Sequence, residues 1–137
     1  MMRILLGLFL IAHALIHAGY LSPAPPRTAG GPEWPFDMGR SWVVTSAGVP
    51  SDLVRTIGAI LVVATVILFV GSGLATMEFV VPRDWWPSLV TSGAIASVLL
   101  LVIFLHPWLV LGLLIDAALL YAVLVAGWDP AGASPGG

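Results

Sequence analysis

The chain has 137 residues, of which 59% are hydrophobic and 9% charged, and its net charge is −2. Soluble domains carry about 25% charged residues, so a chain this apolar cannot clothe a water-facing surface, and its length fits one domain. It has no lysine and no basic field to recommend nucleic acid as a partner. The absence of cysteine excludes disulfide exchange, iron–sulfur clusters and thiolate metal sites.

Residues 4–21 form the first apolar run, long enough to cross a hydrocarbon core of roughly 30 Å at about 1.5 Å per residue. Arg3 ahead of it gives the segment some character of a signal peptide. His13 and His17 within the run argue instead for a retained first helix.

Residues 22–51 are different material. Six prolines and four glycines exclude a helix through most of the stretch. Trp34, Phe36 and Trp42 alternate with Arg27, Glu33, Asp37 and Arg40. That mixture suits an interfacial loop, rings dipping into the headgroup layer and charges staying wet.

The second span is expected over residues 53–76, with room to continue to Val81. Ser51 is placed to cap it, and Asp52 suits the positive end of its dipole. Gly58, Thr65 and Ser72 share one face of this helix, where small residues allow close helix packing in lipid. Pro82-Arg83-Asp84 reads as a turn, with Glu78 and Arg83 able to pair and Asp84 a natural cap for the third span, residues 85–105. Ser88, Ser92, Gly93, Ala96 and Ser97 make the first part of that span small and suited to close packing.

From Trp85 to Trp128 there is almost no polar break. A single helix there would measure about 66 Å, more than twice the hydrocarbon thickness. The chain must turn back, and His106-Pro107 is the available breaker. The fourth span then covers residues 107–127. All six tryptophans fall in the loop or at span ends, which is where a bilayer enriches them. The expected fold is all-α: an integral membrane four-helix bundle, up-down-up-down, with a long Pro/Trp-rich interfacial loop between helices 1 and 2. Residues 1–128 form the single domain, and residues 129–137 read as a disordered tail.

Asp116 is the one formal charge that these spans place far from the membrane surface. A carboxylate in hydrocarbon is costly and marks a functional-site candidate with a partner to be found. The candidate partners are His13, His17 and His106. His13 and His17 are four residues apart and share a helix face, with Tyr20 next along the stripe. His13, His17, Tyr20, Asp116 and His106 are therefore the candidate ligand or proton site. His13, His17 and Asp116 also offer the two imidazoles and one carboxylate of a zinc or iron site.

The His13-to-His17 spacing matches that of a zinc-protease helix but lacks its glutamate base, and intramembrane di-iron oxygenases need more histidines than the three present. A haem between His13 or His17 and His106 fits poorly, because His106 stands at a helix end, where it can instead cap the carbonyls closing the third span. The residue set leans away from an enzyme.

Two function classes remain. One is an accessory or scaffold subunit of a membrane assembly, its His/Asp cluster fixing the helices. The other is a metal-, proton- or small-ligand-binding or transport protein using the same residues. The partners expected are the lipid bilayer and a membrane protein or a second copy of the chain. The histidine-bearing first span, the Trp/Pro loop and the His-Pro-Trp hairpin together resemble small bacterial membrane proteins. That resemblance assigns no residue a role. The four spans, with the Arg-only, Ala/Gly/Val-rich usage of a GC-rich bacterial source, give the expected location as the bacterial inner membrane, crossed several times. Arg3 directly before the first span favours cytoplasmic termini.

Overall fold

The computed structural model describes residues 1–26, 29–31 and 33–130, and those residues form helices and loops without a strand. Helix α1 (Met2–His17) runs on into a 3-10 turn, Ala18–Leu21, and α2 (Trp42–Ala47) lies within the long loop. Next come α3 (Ser51–Thr76) and α4 (Trp86–Ile103), the latter led in by the turn Arg83–Trp85. Helix α5 (Val110–Leu120) is preceded by the turn Pro107–Leu109 and closes in a wider π turn, Tyr121–Val125. Four segments are long and apolar enough to cross a membrane: Met2–Leu21, Ser51–Thr76, Arg83–Ile103 and Pro107–Val125. Their ends lie close to those expected from the hydropathy pattern.

The ends have local causes. Pro50 is extended and α3 starts at Ser51 with no side-chain cap. Ser51 therefore lies inside the first turn rather than capping it, while Asp52 does sit in that turn. α3 stops at Thr76 rather than reaching Val81, because Glu78 and Val80 both take left-handed backbone conformations (φ 57° and 66°). Asp84 lies in the 3-10 turn and makes no cap bond to α4. At the last reversal His106 is extended (φ −137°, ψ 141°), as the residue before a proline prefers. Its Nδ1 accepts the Trp108 backbone N–H at 3.2 Å. His106 thus caps the start of the last helix, not the end of the one before it.

The α1 and α3 backbones approach closely where glycine meets glycine. A methyl placed on Gly73 would lie 2.7 Å from the Gly7 carbonyl oxygen, and one on Gly7 would lie 2.8 Å from that of Gly73. At the other end of α3, Gly58 gives its space to the Phe104 ring, 2.6 Å from where a methyl would stand. Thr65 and Ser72 are fully buried along with it, so the small-residue face does pack inward. Leu10, Phe69, Trp86 and Val90 build one half of the core, and Tyr20, Val62, Leu100 and Phe104 the other. α5 is attached more sparingly. Within it only Asp116 and Leu119 are buried, against nine residues in α3.

The loop is tied to α4. Ser41 caps the short α2, which the proline content had not suggested, and donates its hydroxyl to the Ile103 carbonyl at 2.8 Å. The Trp42 indole N–H donates to the Val102 carbonyl at 2.6 Å. The last carbonyls of a helix have no partner within it, so the loop supplies two of them with donors. Glu33 pairs with Arg40 and raises its pKa above the ordinary arginine value.

At the opposite end Glu78 pairs with Arg3, and Arg83 pairs with Asp129 at 2.5 Å. The Glu78–Arg83 pair expected from their proximity in sequence is not formed. Trp86 is buried at its helix end against Trp128, and Trp42, Trp85, Trp108 and Trp128 are exposed. The Asp129 pairing ties down the first residue of the tail, and the expected disorder of residues 131–137 lies outside the described residues.

Candidate functional site

Asp116 sits midway along the last apolar segment, nine residues from either end of Pro107–Val125, and is 0% exposed. Helical geometry aims it at α1 and α4. Its Oδ1 lies 3.0 Å from His13 Nε2, and its Oδ2 accepts the Ser97 hydroxyl at 2.5 Å. The Ser97 oxygen in turn lies 2.6 Å from His17 Nε2. His13, Asp116, Ser97 and His17 thus form one continuous buried chain across three helices.

The proton order in this chain follows from donor counting. A serine hydroxyl has one proton, and Ser97 gives it to a carboxylate that can only accept when ionised. His17 must then donate its Nε2–H to the Ser97 oxygen. That leaves the lone pair of His17 on Nδ1, which is buried and has no hydrogen-bond partner. His13 donates from Nε2 to Asp116 by the same logic.

The surroundings are aromatic. The two imidazole centroids are 4.8 Å apart at 62°, and the Phe69 ring meets His13 edge-on at 5.0 Å. One ligand atom each from His13, His17 and Asp116 lies within 4.8 Å of the others. The carboxylate and both imidazoles foreseen as a cluster are therefore together.

The other two candidates are not part of it. The Tyr20 ring packs between Phe36 and Phe104, and its buried hydroxyl has no partner. His106 precedes Asp116 by ten residues, about 15 Å along the helix axis, and is engaged with Trp108. His106 is not among the residues whose ligand atoms cluster. Ser97, the central member of the chain, was missed as a partner because its small size placed it with the packing residues. Its one available signal was the same-sided spacing of Ser97 with Gly93 and Leu100, which turns it toward the buried face of α4.

A cavity of about 560 Å³ lies beneath the loop, between Ile16, Trp34, Phe36 and Trp108. None of the cluster residues lines it.

No protein-family model, curated protein or solved structure matches the chain.

Proposed function

We propose that the protein crosses a membrane four times, up-down-up-down, as an accessory or scaffold component of a membrane assembly. In this reading the His13–Asp116–Ser97–His17 chain serves as a clamp. The observation that carries it is the double engagement of Asp116, which ties α5 to α1 through His13 and to α4 through Ser97. In hydrocarbon, helices gain nothing by hiding apolar surface from one another, and association rests on packing and interhelical hydrogen bonds. α5 has little packing, so its polar bonds decide its place.

The uncovered side of α5 and the π turn after it (Leu111, Leu114, Tyr121, Leu124) is largely apolar. That face suits acyl chains or the flank of a partner subunit. Arg3 before the first span favours termini on the cytoplasmic side.

The test is Asp116→Leu, followed by native electrophoresis after extraction in a mild detergent. The wild-type chain is expected to migrate within a larger assembly and the variant to leave it. A wild-type chain that runs alone, or a variant that assembles as before, contradicts the reading.

A further inference from the structure

We propose that His13, His17 and Asp116 hold a divalent transition-metal ion of the zinc or iron(II) class between α1 and α5. The proposal shares its residues with the clamp reading but does not need it: an ion would cross-link the same two helices whether or not the protein is a scaffold.

The donor set comes first. Two imidazoles and a carboxylate are nitrogen and oxygen ligands of the kind that zinc and iron(II) accept, and three protein ligands leave a further coordination position open. With no thiolate in the chain, softer ions such as copper(I) are less well served. Separation comes next. Metal bonds of about 2.0–2.2 Å place neighbouring ligands of a tetrahedral ion about 3.3 Å apart. His13 Nε2 and Asp116 Oδ1 stand at 3.0 Å, and all three residues offer atoms within 4.8 Å of one another. Binding would have to draw the ligand atoms in from separations of up to 4.8 Å by side-chain rotation.

Two further features point to a ligand. His17 has a buried lone pair with no donor, while its other ring nitrogen is held by Ser97. Ligating histidines divide their nitrogens in this way, one for the metal and one N–H for an orienting partner. Ser97 also bonds the second oxygen of Asp116, so one hydroxyl orients two of the three ligands. Charge gives the last reason. A fully buried carboxylate calls for positive charge beside it, and the titratable group bonded to Asp116 is the His13 imidazole, itself one of the proposed ligands. A divalent ion supplies that charge.

The experiment uses full-length protein in detergent, stripped with a chelator, dialysed and titrated with zinc, with cobalt(II) as a visible-absorbing substitute. Wild type is expected to bind about one equivalent of zinc. His17→Gln is expected to weaken binding at least 100-fold, Ser97→Ala by 10- to 100-fold as an orienting residue, and His106→Ala not at all. X-ray absorption at the zinc edge of wild type needs no variant to fold and is expected to show two imidazole ligands. A wild type that binds no zinc, a zinc shell of oxygen alone, or His17→Gln binding as wild type overturns the proposal. A metal-free protein that still loses α5 on Asp116→Leu would leave the clamp standing and remove the ion.

Discussion

The α1–α3 interface and the attachment of α5 solve the same problem by different means. α1 and α3 approach until glycine faces glycine, with no room for a methyl between Gly7 and Gly73. α5 buries only Asp116 and Leu119 along its own length and is held by a carboxylate bonded to two other helices. Close packing gains many small dispersion contacts and tolerates the loss of any one. A polar tether concentrates its stabilisation in a few groups, and breaking it strands the remaining partners in an apolar interior. The first interface should therefore fail by steric intrusion, and the second by deletion.

Deletion gives the largest expected effect. Asp116→Leu leaves the His13 N–H and the Ser97 hydroxyl buried without their acceptor. At about 1–3 kcal/mol for each stranded group, the loss should be about 2–6 kcal/mol, read as a lowered unfolding midpoint in detergent. Intrusion comes next. Gly73→Leu forces side-chain atoms against the α1 backbone and should cost about 1–3 kcal/mol in the same assay. Gly71→Ala is its control, because a methyl there meets only Leu89 at 3.5 Å, an ordinary contact, and should change the midpoint little.

Ser97→Ala removes one of the two bonds to Asp116 and leaves His17 Nε2 unpartnered. Interhelical hydrogen bonds in membranes are worth about 0.6 kcal/mol on average and up to about 1.7, so a loss of about 1–2 kcal/mol is expected. Arg3→Gln tests the exposed ends. The Arg3–Glu78 pair is roughly half-exposed on both sides, and its removal should shift the midpoint by less than about 1 kcal/mol, an effect that shrinks with added salt.

The contrast also marks what could be read from the chain alone. The four long apolar helices were legible because length, apolarity and a single proline at residue 107 left one place to turn. Asp116, His13 and His17 were legible because titratable residues inside such spans are rare. Depth along a helix can be counted from sequence, but rotation about its axis and choice of neighbour cannot. That is why the sequence alone places Ser97 among the packing residues, and pairs Glu78 with nearby Arg83 rather than with distant Arg3. Local hydrogen bonds decided the rest. The Ser41 and Trp42 bonds to the end of α4 give the short α2 a fixed place in a loop whose proline content excludes a helix through most of its length.

A double-mutant cycle between His13 and Asp116 tests the tether most directly, with unfolding in detergent measured for His13→Leu, Asp116→Leu and the pair together. Residues in direct contact show coupling of about 0.5–3 kcal/mol. The geometry predicts at least about 1 kcal/mol here, the double variant being less damaged than the sum of the singles. Losses that simply add would mean that the carboxylate of residue 116 does not hold α5 to α1.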